Sequence, residues 1–345
     1  MTRVREWVEA DRPAWETWVR GHAAATLFHR PAWREVIAAT FGHRPVYLLA
    51  EDESGIRGVL PLFVLRTGLF GTMAVSLPFL NYGGVAADDP EAARLLVDEA
   101  ARRGRENGCA YVEFRHRYLA PGEPDLPTNT FKVTSVLDLT GGAEDVWKTK
   151  LHQNVRNKIR KGQKSDLDIR RGPAELGAFY HVFSVNQRDH GTPVLPKKFF
   201  VQLLARFGDT ATVLVAYRQG RPVGAKLFMD FGATRYFIWS ASVPEGNQAA
   251  VVPLMNWLAI EDAVQAGLQA VDMGRSTVGS SSQSFKKYWG VSIEPLYWQY
   301  HLLARDEMPG LNTSNPKFEF AIRVWRRLPL FATHWFGPLL AKRLP

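Results

Sequence analysis

Two stretches of this 345-residue chain hold side chains able to bind or stabilise negative charge. The first, Asp272-Met273-Gly274-Arg275-Ser276, ends an apolar run in a glycine and opens a Ser/Gly-rich segment leading to Ser284-Phe285-Lys286-Lys287-Tyr288-Trp289-Gly290. A strand that closes on Gly and feeds a loop is a common seat for a ligand. The short helix that follows is expected to begin with its lysines, where a cation gains nothing from the helix dipole, and that misplacement hints at a function. Taken alone, Lys286 and Lys287 also read as plain surface charges. The second stretch is a single helix predicted over 144–164. Trp147, Leu151, Val155 and Ile159 recur every four residues as an apolar ridge, and Lys148, His152, Arg156, Arg160 and Lys164 run beside it. Between 148 and 171, nine Lys and Arg residues meet only Asp166 and Asp168. So acid-poor a run is either a solvated face or, because it repels itself, a surface that meets phosphates.

Other features offer less. Leu77-Pro78-Phe79-Leu80-Asn81-Tyr82-Gly83-Gly84 ends a predicted strand in paired glycines, which let a backbone approach a ligand or simply turn. Arg188-Asp189-His190-Gly191-Thr192-Pro193 has the same two readings, and His190 beside Asp189 reads first as a loop histidine. No Gly-x-x-x-x-Gly-Lys-Ser/Thr loop, Gly-x-Ser-x-Gly elbow or His-Glu-x-x-His helix is present, and the nine histidines show no ligand spacing. Nucleotide hydrolysis, serine hydrolysis and zinc catalysis lose support, and no metal site is expected. The single cysteine, Cys109, opens an apolar strand and reads as core; alone it forms no internal disulfide, which fits a reducing compartment.

The elements that must position these residues follow a mixed α/β pattern. Helices are predicted over 14–22, 32–41 and 88–107, and strands over 46–50, 58–66, 73–77 and 110–114. Pro121, Pro124 and Pro127 make 120–130 the best linker, because prolines so close together cannot sit inside a helix or a central strand. The second half repeats the style, with strands over 132–139, 167–171, 211–217, 222–230, 235–241, 270–273 and 293–303, and helices over 144–164, 174–188, 197–207 and 252–266. Consecutive strands without a helix between them imply antiparallel pairing, and the late strand, helix, strand order adds a crossover. At about 150 residues per domain the length fits two domains. They are expected over 1–130 and 131–310, followed by a tail over 311–345.

With 46% hydrophobic residues, disorder is excluded; 43 Lys and Arg against 34 Asp and Glu leave a net charge of +9. No secretory signal is readable over 1–13, and no apolar run reaches the roughly 18 residues of a spanning helix, so a cytoplasmic location is expected. The tail sets Phe318, Ile322 and Trp325 at helical spacing among Lys317, Arg323, Arg326 and Arg327. Phe331, Trp335, Phe336, Leu339 and Leu340 follow, and Lys342 and Arg343 close it. Basic and Trp-bearing, the segment 317–345 either lies peripherally in an anionic inner-membrane interface or docks on the body as a helical hairpin.

Taken in order, these pieces resemble the Fem-type aminoacyl and peptidyl transferases, in particular the exosortase-associated FemAB-related branch. The resemblance runs from about Leu77 to the C-terminus. It rests on the Leu77-Pro78 to Tyr82-Gly83-Gly84 turn, Asn154-Val-Arg156-Asn157-Lys-Ile159-Arg160-Lys161, Gly191-Thr192-Pro193, Asp272-Met-Gly274-Arg275, Phe285-Lys286-Lys287-x-x-Gly290 and Asn315-Pro316-Lys317. It implies an α/β fold (α+β) of two tandem GNAT-like acyltransferase domains with a C-terminal helical tail, in agreement with the two halves read above. It also implies an enzyme that moves an aminoacyl group from aminoacyl-tRNA onto an amine-bearing acceptor, here a cell-envelope or exopolysaccharide-related one, with no cofactor bound permanently. Looser relatives use acyl-CoA.

By the same resemblance, Phe285 and Lys286 match the Phe-Lys motif that lies against the reacting groups. Arg156 and Arg160, with Lys161 beside them, match basic helix positions that contact the donor or an anionic substrate. Tyr82, Gly83 and Thr192 fall in the matched loops as substrate-binding positions. Forming an amide from an ester or thioester requires an unprotonated amine and a stabilised tetrahedral oxyanion. The fixed cation for that charge is assigned to Lys286, with Arg275 as its neighbour. Candidates for the base are Glu113, in Glu113-Phe114-Arg115-His116, then Asp272, then the substrate itself. Acyl-CoA enzymes of the GNAT kind hold pyrophosphate on Gln/Arg-x-x-Gly-x-Gly/Ala at a helix N-terminus. The equivalent turn here, Pro244-Glu245-Gly246-Asn247-Gln248-Ala249-Ala250, lacks that spacing, which favours tRNA as donor. A CoA-dependent N-acyltransferase and a non-catalytic membrane-associated scaffold are the alternatives.

Overall fold

The structure, a computed structural model, describes residues 1–68, 71–119, 124–309 and 316–343. Residues 120–123 of the expected linker and Asn315 of the tail motif lie outside the described residues. The chain forms two compact units: Met1–Lys132 with Pro295–Leu311 and Lys342–Pro345, and Val133–Glu294 with Asn312–Ala341.

In the first unit, Arg3–Glu6, Leu48–Asp52, Gly55–Leu60 and Ala86–Ala87 pair antiparallel in one small sheet. Arg44–Pro45, Leu62–Thr67 and Gly71–Ser76 run antiparallel in another, and Gly71–Ser76 pairs parallel with Tyr111–His116. Parallel neighbours need a crossover, supplied by the helix Pro90–Glu106, whose N-cap Asp89 accepts from the Ala92 N–H at 2.8 Å. That helix buries Ala93, Leu96, Val97 and Ala100 against Leu48, Leu60 and Phe114, and Cys109 is buried there too. The strand expected over 58–66 is two strands in different sheets. Pro61, between them, has no N–H for a ladder, and the chain leaves one sheet for the other at that residue.

In the second unit, Asp168–Arg171, Ala211–Arg218, Arg221–Phe231 and Thr234–Ser242 form a continuous antiparallel run. The helix Val251–Gln265 then crosses over to Ala270–Asp272, which pairs parallel with residues 234–236. Its buried Val251, Leu254, Met255 and Ile260 pack with Val155 and Ile159 of the helix Gln153–Gln163. On the other side, Phe183, Phe199 and Phe200 surround Trp239 with centroid separations of 5.1–6.4 Å. The tail adds two helices, Pro316–Arg327 and Leu330–Ala341, both packed on Leu176–His190. Among the described residues, no helix is long and apolar enough to cross a membrane.

Candidate active site

The site is organised by a parallel pair that splays. Thr234–Ser242 spans nine residues, yet only its first three pair with Ala270–Asp272. A bulge at Ile238, where Leu227 faces Trp239 and Phe228 faces Phe237, twists the longer strand further from its neighbour. The shorter strand ends at Asp272, whose Oδ1 accepts from Thr134 Oγ1 and from the Gly274 N–H, both at 2.7 Å. Gly274, at φ 80°, takes the left-handed conformation that turns the chain away there. Asp272 is buried and acts first as the organiser of this turn.

Lys286 closes onto the same turn. The helix is Ser281–Lys287, capped by Ser280, so Lys286 and Lys287 stand in its last turn and not, as the sequence led us to expect, at its start. A cation is favoured at that end. The Lys286 Nζ donates to the Gly274 carbonyl at 2.6 Å and the Arg275 carbonyl at 3.0 Å. An ammonium has three N–H groups, so one remains to be directed at a ligand. The side chain is 8% exposed. Burial pushes the ammonium down to about 8, with Asp272 pulling it up and Arg275 pushing it further down.

The helix expected over 144–164 is broken. A short helix Gly142–Asp145 continues as a wide π turn over Val146–Lys150, Leu151 turns extended (ψ 129°), and Gln153–Gln163 starts anew with His152 as its cap. The cause lies far along the chain. The His152 N–H donates to the Tyr288 carbonyl at 2.9 Å. Gly290, at φ 71°, sits so close to Lys150 that a Cβ there would stand 2.6 Å from its carbonyl oxygen. The motif Phe285-Lys286-Lys287-x-x-Gly290 and the basic segment are therefore one structure. Between them is a groove of about 310 Å³ lined by Asn154, Asn157, Lys158, Pro253, Phe285 and Tyr288.

The break also redistributes the charge. Arg156, expected to meet substrate, instead donates through Nη1 to the Trp147 and Leu151 carbonyls, each at 2.9 Å, and through Nη2 to Gln153. It satisfies carbonyls that the interrupted helix leaves without partners. Lys148 pairs with Glu144, Lys150 with Asp138 and Asp145, Arg170 with Asp168 and Arg171 with Asp262. Lys158, Arg160, Lys161 and Lys164 are left exposed with no carboxylate among the described residues. The last three, with Asn157 and Ser165, line an open depression of about 450 Å³. Arg156→Ala is accordingly expected to cost about 1–3 kcal/mol in stability, read by denaturant unfolding, because it strands those carbonyls. Arg160→Glu should leave the unfolding midpoint nearly unchanged.

The remaining expected site residues have other placements. Glu113, in the first unit, is buried and accepts from Arg115 Nε at 2.6 Å, and Arg115 lies over the Trp298 ring. Tyr82 is interior, edge-on to Phe28, with its hydroxyl near Arg117 Nη1 at 3.2 Å. Gly83, at φ 148°, donates its N–H to the Arg115 carbonyl. Thr192 is exposed in the cap of Leu176–His190, its N–H on the Gln187 carbonyl. The neighbouring Gly191 is what that loop requires, since a Cβ would lie 2.5 Å from Ile322 of the tail.

Lys226 escaped the sequence reading. It is 1% exposed in the middle of Arg221–Phe231, donating to Asn256 Oδ1 at 2.8 Å and Ser240 Oγ at 3.0 Å, with its Nζ 3.3 Å from the Phe237 ring centroid. Burial pushes its amine well below the usual lysine range, and repulsion from Lys286 and Arg235 adds to this. A lone lysine amid the apolar run Val223-Gly-Ala-Lys226-Leu-Phe-Met was the available signal.

Residues 149–287, which contain the splayed pair, its crossover helix and the Lys286 helix, match the family model described as an acetyltransferase (GNAT) domain. That match and the fold together support an acyltransferase. Among solved structures the chain is similar to FemX, with a TM-score of 0.68 at 13% identity over 88% of this chain and 98% of that one. It is also similar to L-PGS from Bacillus licheniformis (TM-score 0.54, 11% identity, 94% and 99% covered). A tandem GNAT protein from the clavulanic acid biosynthesis pathway gives a TM-score of 0.55 at 11% identity, with 87% and 97% covered. At these identities the likeness is one of fold, that of tandem GNAT proteins. No curated protein sequence matches the chain.

Proposed function

We propose that this acyltransferase takes its acyl group from an aminoacyl-tRNA and forms an amide on an amine of a cell-envelope or exopolysaccharide-related acceptor. The observation that carries the reading is the unneutralised set Lys158, Arg160, Lys161 and Lys164 on the helix that also borders the Phe285 groove. Four cations without acidic partners suit a phosphate backbone, whose affinity rises with each phosphate neutralised. In this reading the acceptor amine attacks the ester carbonyl, and Lys286 directs its third N–H at the oxyanion. The C–O bond to the tRNA ribose then breaks, and the proton leaving the amine ends on that ribose oxygen. Substrate takes the proton because Asp272 is already spent on Thr134 and Gly274.

The first turn of Val251–Gln265 supports tRNA over CoA. Pro253 gives it no N–H at its third position, and Gly162 packs across it so closely that a Cβ would lie 2.8 Å from Leu254 and 3.2 Å from the Ala250 carbonyl. A covered helix N-terminus is a poor cradle for pyrophosphate.

The test is titration with tRNA and with acetyl-CoA at two salt concentrations. Wild type should bind tRNA in a salt-sensitive way. Arg160→Glu/Lys161→Glu/Lys164→Glu should lose at least tenfold with its unfolding midpoint unchanged. Equal tRNA binding by that variant would overturn the donor assignment. Saturable binding of acetyl-CoA alone would move the reaction to CoA-dependent N-acylation, and binding of neither would favour the scaffold.

A further inference from the structure

The helix Leu330–Ala341 is built inside out. It carries no charged residue, and its small side chains face the protein: Thr333, Gly337 and Ala341 are buried, and a Cβ on Gly337 would come within 2.8 Å of Val194. Its large apolar side chains face outward. Phe331 is 75% exposed and Trp335 77%, with Phe336, Leu339 and Leu340 exposed beside them. At 100° per residue, positions 331, 335, 336, 339 and 340 occupy one half of the helix, and 333, 337 and 341 the other. A helix docked only to complete a core would turn its Trp and Phe inward, where each buried ring contributes most. Here the close inner contact is made by the residues with least apolar area, which leaves a contiguous apolar surface uncovered.

Along the chain, the charges that flank this face are of one sign from Phe320 onward. From Phe320 to Pro345 the chain has Arg323, Arg326, Arg327, Lys342 and Arg343 and no acidic residue. Arg323, Arg326 and Arg327 are exposed on the preceding helix, and Lys342 and Arg343 are exposed directly after Ala341. Trp and Phe framed by cations match the boundary of an anionic bilayer, where rings sit at headgroup depth and Lys and Arg meet lipid phosphates. A second copy of this chain would bring like charges together around the same patch, which disfavours self-association as the way it is covered.

We propose that Leu330–Ala341 is an interfacial helix that seats this protein on anionic lipid through Phe331, Trp335, Phe336, Leu339 and Leu340. The inference is independent of the acyl donor. It is tested by co-sedimentation of the full chain with phosphatidylcholine vesicles and with mixed phosphatidylcholine/phosphatidylglycerol vesicles, alongside analytical ultracentrifugation. Wild type should pellet with the anionic vesicles, more weakly at high salt, and much less with the neutral ones. Phe331→Ser/Trp335→Ser/Leu339→Ser should reduce partitioning at least tenfold with unfolding and tRNA binding unchanged, since these side chains already face water. Lys342→Glu/Arg343→Glu should reduce it several-fold and remove part of the salt dependence. Failure to pellet with anionic vesicles, or equal pelleting by the triple serine variant, would overturn the proposal. A dimer in free solution that the triple serine variant dissolves, without vesicle binding, would assign the face to a second copy instead.

Discussion

Replacing Lys286 with Met should lower the rate of acyl transfer about a hundred- to a thousand-fold, the loss expected when one donor to a developing oxyanion is removed. The same ammonium also holds the Gly274 and Arg275 carbonyls, so activity must be read beside stability. Lys286→Gln is the companion variant: its amide keeps a donor for those carbonyls without the charge. Both should be slow, and the glutamine variant should keep most of the wild-type stability. The pH profile separates a charged role from a structural one. The acceptor amine must be unprotonated, which makes activity rise with pH at first. Lys286 must be protonated, and with its ammonium pushed down to about 8, activity should fall again as pH climbs past that value. Asp272 raises the Lys286 ammonium, so Asp272→Asn should move the falling limb to lower pH. Lys286→Met should have no such limb. A methionine variant that folds normally and turns over at the wild-type rate would remove Lys286 from the chemistry.

Gly290→Ala should be the most damaging small substitution at the site, at about 2–4 kcal/mol of stability. Two costs add. The residue sits at φ 71°, where a side chain brings strain of order 1 kcal/mol or more, and the new Cβ meets the Lys150 backbone, with its oxygen at 2.6 Å and its carbonyl carbon at 2.9 Å. Backbone cannot swing aside as a long side chain can, so either the 288–290 turn or the 146–152 break must move. Gly279→Ala is the control, because Gly279 has a similar φ of 77° and nothing within 4 Å of its Cβ position. It should show the conformational cost alone. The difference between the two variants in chemical unfolding measures the contact between the Phe285-Lys286 motif and the basic segment, and faster amide exchange at His152 should accompany it. Equal losses in both variants would mean that this contact contributes nothing.

Much of this architecture is legible in the sequence because it is local. Val155 and Ile159 fall on one face by spacing alone, Gly42 and Gly108 end helices where φ must turn positive, and Cys109 is core, buried just ahead of the strand Tyr111–His116. The run of strands, then helix, then strand was enough to anticipate the crossover between Thr234–Ser242 and Ala270–Asp272. Other features depend on partners distant in the chain, and no periodicity records them. Leu151 keeps its place in a perfect four-residue ridge, yet the helix stops there because the His152 N–H finds Tyr288 and the Lys150 backbone lies against Gly290. Once it stops, Arg156 turns to the freed carbonyls, and Asp138 and Asp262 take up Lys150 and Arg171. The composition of the basic run was therefore set by the sequence, and the four cations that stay available were decided only by tertiary pairing. The tail shows the same division. Its apolar and basic composition is plain from the residues, but which half of Leu330–Ala341 faces water follows from Gly337 being the side chain small enough to sit against Val194.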